Sequence, residues 1–477
     1  LNDVLGPIMV GPSSSHTAGT ARVGLMARAL LGEEPAGARV TFDPGGSLAP
    51  TYRGQGSDRG YVGGMLGLDP GDPALARSLE IAAARGFRVE FGVEPLEENS
   101  HPNMSRIELT GVTGRRLDLL GASTGGGMMR IYRVQDHPVD LPGDEHELLV
   151  IDESGSLRRE CLDGPPASLP AGRWVGYAPP VVPVAARFGQ QPLWTTAAAA
   201  VACCGGSFGE ASLAYELNRS GWTEARAQEH MSRIWDVMRA AVQRGLTEDL
   251  SLIGGIFTTS AKGIAAANAA GRLLGGPISL SVAYATAVME VSNSAGVVVA
   301  APTAGSAGVV PGVLVAAAER LGASHEQILR ALWAAGGIGL LIARHATFAA
   351  EVAGCQAEVG AASAMAAAGL VELAGGTAAQ AEGAASVALQ NSLGMVCDPV
   401  AGLVQVPCFG KNAMGVGNAY AAADMVLGGY PALIPFDEVA AAMLRVGHAL
   451  PRELRCTALG GLATTPTGEK LKQRLVL

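Results

Sequence analysis

Three cysteines, Cys355, Cys397 and Cys408, lie in a glycine-rich, charge-starved stretch as Gly354-Cys355-Gln356, Val396-Cys397-Asp398-Pro399 and Val406-Pro407-Cys408. Three thiolates can hold three irons of a cubane iron–sulfur cluster and leave the fourth open, which makes a Lewis acid of an electron carrier. The competing reading is structural, because cysteine outside disulfides is among the most buried of side chains. Context argues for metal: Cys397 precedes Asp-Pro and Cys408 follows a proline, which puts both at turns and not on helix faces. The last two are eleven residues apart, unlike the Cys-x-x-Cys of ferredoxins and zinc sites, so electron transfer and structural zinc lose ground.

A second constellation runs from Gly6 to Gly19, where Ser13, Ser14, Ser15, His16 and Thr17 follow a Gly-Pro turn and precede an expected helix. Hydroxyls and backbone N–H groups at a helix start make an anion pocket suited to a carboxylate, and His16 is then placed to move protons. Serines that only cap the helix are the plainer alternative. Further polar stretches are Gly45 to Asp58, which holds Gln55 and Asp58, then Ser100-His101-Pro102-Asn103, Asn293-Ser294, and the turn Pro302 to Gly308 with Thr303. Taken singly, each could be a polar loop or a glycine turn.

The elements that must position these residues fall into two parts, since 477 residues exceed one ordinary core. Residues 1–175 read as an α/β domain, with strands over Ala38–Phe42 and Arg88–Val93 and helices over Thr20–Leu31 and Pro73–Arg85. A proline-rich stretch, 175–192, reads as a linker. Residues 190–477 read as an all-α domain, with helices such as Thr223–Arg244 and Ser324–His345. Only 15 of the 184 residues from Ser251 to Ile434 are charged, so these helices must be buried on nearly all sides, in part at a homodimer interface.

The net charge of −9, with no basic run, argues against nucleic acid and leaves a small anionic or zwitterionic ligand. The longest charge-poor run, Gly271 to Ala318, is broken by Arg272, Pro277, Glu290, Pro302 and Pro311, so no membrane segment is expected. The start shows no leader pattern, which makes the cytoplasm the expected location. Seven cysteines, odd in number and clustered late, read as reduced thiols or metal ligands and not as a disulfide framework.

On these motifs the whole chain resembles the iron–sulfur L-serine dehydratases (L-serine ammonia-lyases). Gly6 to Gly19 looks like that family's β-domain signature, and Ala301–Gly312, Gly354–Met365 and Asn391–Gly417 look like its α-domain signatures. The resemblance implies fused β and α domains without a regulatory ACT domain, and a [4Fe-4S] cluster held by Cys355, Cys397 and Cys408, with no pyridoxal phosphate. It further implies catalytic roles for His16 and Ser15. Contacts to an amino-acid substrate would fall to Ser13, Ser14, Ser15, Thr17, Gln55, Asp58, His101, Asn103, Asn293, Thr303, Lys411 and Asn412. The expected products are pyruvate and ammonia.

Three departures bear on the substrate. The family usually has His where this chain has Gln55, and glutamine cannot serve as a base near neutral pH. The stretch Leu252–Lys262 keeps the family's double glycine but differs after it. Some single-chain members end in a cysteine that caps the fourth iron, whereas this sequence ends Arg474-Leu475-Val476-Leu477, so that device is not expected. Cys456, after an expected helix ending at Pro451, is set aside as a ligand, and the neighbours Cys203 and Cys204 would point apart on a helix. Alternatives to L-serine are threonine, cysteine or a modified serine. A non-catalytic ligand sensor is the reading from a different class.

Overall fold

The computed structural model describes residues 4–96, 101–182, 191–203 and 206–476. Its strands are β1 (Ile8–Val10), β2 (Pro35–Phe42), β3 (Arg88–Val93), β4 (Met104–Gly111), β5 (Arg116–Gly125), β6 (Met128–Val134), β7 (His137–Leu141), β8 (His146–Ile151), β9 (Leu157–Leu162), β10 (Trp174–Ala178) and β11 (Val297–Val299). The chain divides into two units, Ser14–Ala186 on the one hand and Leu1–Ser13 with Arg187–Leu477 on the other.

In the first unit a six-stranded sheet has the order β3-β2-β4-β5-β6-β7 and a smaller sheet the order β10-β8-β9. Strand β2 pairs parallel with β3, from Gly37↔Arg88 to Phe42↔Val93, and antiparallel with β4. A parallel pair needs a crossover, which the helices Ser57–Met65 and Ser78–Ala84 supply. Alternation along β4 turns Ile107 and Leu109 inward, against Val23, Met26, Ala27 and Leu30 of the helix Gly19–Leu31. Pro73–Arg85 is not one helix. Asp72 caps a tight turn, Pro73–Arg77, by accepting the Ala74 N–H, and the α-helix begins only at Ser78.

The second unit is largely helical, and every residue of its helix Val359–Leu373 is buried. Around that helix pack Val309–Leu321, His325–His345, Ala378–Gln390 and Cys408–Leu427, in a core of Ala, Val and Leu. His325–His345 is long and apolar enough to cross a membrane by length and composition, but Leu332, Ile338, Leu341 and Ile342 sit in this core. It starts with a capping box in which Ser324 and Gln327 satisfy each other's backbone N–H.

Strand β1 pairs antiparallel with β11, Ile8↔Val299 to Val10↔Val297, and residues up to Ser13 group by contact with the helical unit. Gly6 and Gly11 extend that ribbon by donating to Ala300 and Gly296. The C-terminal part is largely helical, as expected, and carries the short strand β11. The expected linker is also partly structured, since Trp174–Ala178 is strand β10, while its residues 183–190 lie outside the described residues.

Glycine sets how closely helices Gly19–Leu31 and Ser57–Met65 approach. A β-carbon on Gly64 would stand 2.0 Å from the Ala21 carbonyl oxygen and 2.7 Å from the Leu25 nitrogen. Gly64→Ala is expected to destabilise the protein by about 3 kcal/mol, because backbone must shift to admit the methyl group. Gly263→Ala, in an exposed helix with open space around it, should be neutral or stabilising by about 0.5–1 kcal/mol. Thermal unfolding of the two variants checks the contrast, and equal midpoints would refute it.

Candidate functional site

Cys355 opens a tight turn and Cys397 lies in irregular backbone, but Cys408, expected at a turn, is the first residue of an α-helix. Gly354 has φ +73°, and a β-carbon there would meet the Met395 carbonyl oxygen at 2.6 Å, so glycine lets the Cys355 turn lie against the segment leading to Cys397. Gln356 fastens the two: its backbone N–H and side-chain oxygen bond Met395 and Gly394, and its amide nitrogen bonds the Ala353 and Met443 carbonyls. Cys408 opens the helix Cys408–Leu427 just after Pro407. All three thiols are buried, and no described cysteine is in a disulfide.

Cys355 and Cys397 stand with Glu358 in a group whose ligand atoms all lie within 4.8 Å of one another. Cys408 is not in that tight group; it packs with Leu252, Met289, Val404 and Phe409, yet the charges of Cys355 and Lys411 bear on it. A fourth cysteine joins them. Cys397 donates its backbone N–H to Leu454 and accepts from Cys456, both at 2.8 Å, and its thiol is hydrogen-bonded to those of Cys355 and Cys456.

One cation serves the group. Lys411 Nζ lies 2.6 Å from the Val396 carbonyl, 3.0 Å from Asp398 Oδ1 and 3.7 Å from Cys355 Sγ. Burial opposes the ammonium, but Cys355, Cys397, Cys408 and Asp398 together hold its pKa above the ordinary lysine value. The hydrogen bond from Cys397, helped by the Lys411 charge, outweighs burial and lowers the Cys355 thiol. The Cys397 thiol, as the other partner of that bond, is raised, and burial raises Cys408. Burial also pushes Glu358 well above the usual carboxylate range, reinforced by the charge of Cys355; its Oε1 accepts from the Thr303 hydroxyl at 2.8 Å.

Asn412 ties the Thr303 turn to the Cys408 helix. Its oxygen accepts the Gly308 N–H at 3.2 Å, and its nitrogen donates to the carbonyls of Gly305 and Cys408 at 2.8 and 2.9 Å. Lys411 and Asn412, expected on the substrate, are thus engaged in building the cysteine pocket. Asn293 bonds its own helix at Met289, and its carbonyl accepts from Ile253, whose carbonyl in turn takes the Gln405 amide. The Leu252–Lys262 stretch therefore reaches the chain just before Cys408. Phe257 also stands edge-on to Phe409, with ring centroids 5.1 Å apart.

The other unit gathers the remaining candidates. Ser14–Ala18 form one wide π-type turn ahead of the helix Gly19–Leu31, and Ser14, Ser15, His16 and Thr17 are buried there; Ser13 belongs to the other unit. His16 Nε2 is 3.3 Å from the Ser47 hydroxyl, and the Thr17 hydroxyl donates to the backbone carbonyl of Gln55 at 2.9 Å. Ser47 N–H bonds the Pro102 carbonyl, and the Asn103 N–H bonds His101 Nδ1, which brings the loops around 47, 55 and 102 to one place. Asn103 turns its amide nitrogen to the Ser123 carbonyl, while its Oδ1 and the Ser57 hydroxyl are buried with no hydrogen-bond partner among the described residues. Asp58 instead accepts the Arg59 N–H, and burial raises its pKa against the pull of Arg59 and Arg53.

The sequence reading gives Glu358, Asp398 and Ser47 no role, and it sets Cys456 aside as a ligand, whereas the structure packs Cys456 with Cys355 and Cys397. Glu358 and Asp398 could have been found by their nearness to Cys355 and Cys397; Cys456 gives no such signal, since a backbone bridge between Cys397 and Arg455 brings it in.

Comparison with known proteins also divides the chain into two parts. The model for the serine dehydratase beta chain matches residues 4–86, and that for the alpha chain matches residues 205–463. An L-serine dehydratase of Streptomyces coelicolor is 32% identical, with 96% of each chain covered. The chain belongs to the serine dehydratase family. It carries the beta and alpha parts fused, as does the L-serine dehydratase TdcG of Escherichia coli, 29% identical over 96% of this chain and 97% of that one. A probable L-serine dehydratase alpha chain of Bacillus subtilis is 46% identical over 55% of this chain and 88% of its own length.

Asn412→Leu should leave the Gly308 N–H and Gly305 carbonyl unsatisfied and cost about 2–4 kcal/mol, read as a lowered thermal midpoint. A midpoint equal to wild type would show that the bridge does not hold the turn.

Proposed function

We propose that this chain is an L-serine ammonia-lyase that uses a [4Fe-4S] cluster held by Cys355, Cys397 and Cys408. The observation that carries the reading is the buried group of thiols outside disulfides, with a lysine ammonium 3.7 Å from one of them, in a chain of the serine dehydratase family. The donor set fits the group: thiolates are the usual ligands of iron–sulfur clusters, and Lys411 offsets part of their charge. When bound, such a cluster with one iron lacking a protein ligand supplies a Lewis acid that makes hydroxide a better leaving group.

The chain's own residues supply the rest. The Ser13–Thr17 turn offers hydroxyls and N–H groups to the carboxylate, with Ser15 next to the histidine in sequence. Asn103 keeps a buried oxygen without a partner, an acceptor suited to the substrate ammonium. His16, its ring held by Ser47, takes the α-proton. The aminoacrylate then tautomerises and hydrolyses to pyruvate and ammonia. Gln55 cannot share the base role, and its place in the loop favours a second reading in which another β-substituted amino acid is preferred.

Anaerobically prepared protein should contain iron and sulfide in the ratio of a cubane and release pyruvate and ammonia from L-serine, with activity declining in air. His16→Asn is expected to lower kcat by about 10²–10⁴ while keeping the iron and sulfide. Cys397→Ala should lose both cluster and turnover. Retention of both in Cys397→Ala would end the metal reading, and silence toward L-serine alongside turnover of threonine or cysteine would end the substrate assignment.

A further inference from the structure

Cys456 is a fourth buried thiol in the same group, packed with Cys355, Cys397, Ala350 and Met395. Two backbone hydrogen bonds of 2.8 Å, from Cys397 to Leu454 and from Cys456 to Cys397, clamp its loop to the Cys397 turn. The backbone at Cys456 is left-handed, with φ +60°, a conformation that residues with a β-carbon seldom take. The loop therefore holds a thiol against two other thiols in spite of a backbone preference, which a cysteine that merely filled apolar space would not require. A cubane has four irons, and the reading above assigns three thiolates.

We propose that Cys456 is the fourth thiolate ligand of the cluster in the absence of substrate, closing the iron left open by Cys355, Cys397 and Cys408. This rests on the cluster reading just given. Cys456 is held to the Cys397 turn through the backbone bonds of its loop, whereas Cys355 has the Lys411 Nζ at 3.7 Å. The iron that Cys456 covers is the one needed by substrate, which takes its place. In the resting protein it shields that iron from oxygen.

The test compares substrate-free, anaerobically prepared wild-type protein with Cys456→Ala and Cys456→Ser, each checked for folding by circular dichroism. Mössbauer spectra of iron-enriched protein should show one of the four irons displaced to a separate doublet in Cys456→Ala, with iron and sulfide content unchanged. On exposure to air, the three-iron cluster seen by electron paramagnetic resonance should build up several-fold faster in that variant than in wild type. Should Cys456→Ala fail to fold, Cys456→Ser, close in size, is read by the same two measurements. A spectrum and a rate of iron loss matching wild type overturn the proposal. A folded Cys456→Ala that assembles no cluster also overturns it, by making Cys456 an anchoring ligand and not a cap. Wild-type protein without iron and sulfide would instead defeat the cluster reading itself.

Discussion

Lys411 carries its ammonium into the interior of the helical unit, where it meets the Val396 carbonyl, Asp398 and the sulfur of Cys355. A buried charge costs several kcal/mol unless it is paired and its protons are satisfied, so these partners cannot be moved one at a time. The turn that bears Cys397 is fixed by Val396 and Asp398 on either side of it. Asp398 spends its other oxygen on the Leu462 N–H, at 2.9 Å, which brings the segment after Cys456 under the same constraint. Lys411 itself stands one turn along the helix that Cys408 opens, so a single helix start positions both the cation and a thiol.

Irregular backbone buried at this depth must find partners for its polar groups. Three buried amides supply them, and each lies close in sequence to a cysteine. Gln356 bonds the Gly394 N–H and two carbonyls, Gln405 bonds the Ile253 carbonyl, and Asn412 bonds Gly305, Gly308 and Cys408. The space for these loops comes from small residues. A β-carbon on Gly308 would lie 2.4 Å from the Ala285 carbonyl oxygen, and one on Gly312 would lie 2.8 Å from the Ala285 nitrogen. The scarcity of charge between Ser251 and Ile434 thus accompanies close helix packing around loops whose few polar side chains are committed to the backbone.

Much of this was legible in local pattern. The proline beside Cys397 marked irregular backbone, Pro407 marked the start of the Cys408 helix and not a turn, and alternation in Arg88–Val93 marked the strand that β3 turns out to be. What escaped is non-local. Ile8-Met9-Val10 is too short to declare its partner, and only its pairing with Val297–Val299 shows that the first residues belong to the helical unit. Cys456 is likewise placed by a bridge to a distant strand-like residue, with nothing in its own surroundings to announce it. The spacing of two cysteines on a chain carries information about turns, whereas the meeting of two loops depends on everything folded between them.

Gln55 shows how the chemistry of the other unit can vary without disturbing its shape. The bond that fastens this loop to the Ser14–Ala18 turn is made by the Gln55 main-chain carbonyl, which accepts from Thr17, and not by its side chain. Ser47, which holds His16, is likewise fixed through its backbone N–H to Pro102. A β-carbon on Gly46 would stand 2.6 Å from that same Pro102 oxygen, so the close approach of the two loops is also a property of the main chain. The side chain at position 55 can therefore change while the main-chain bond that fastens the loop to Thr17 is kept. Asn103 follows the opposite logic: its amide nitrogen is fixed by Ser123, and a buried oxygen is left without a protein partner. A polar atom in that state is costly unless a donor binds it. The unit thus fixes the loops around 47 and 55 through backbone bonds, while the Ser47 hydroxyl reaches the His16 ring through its side chain.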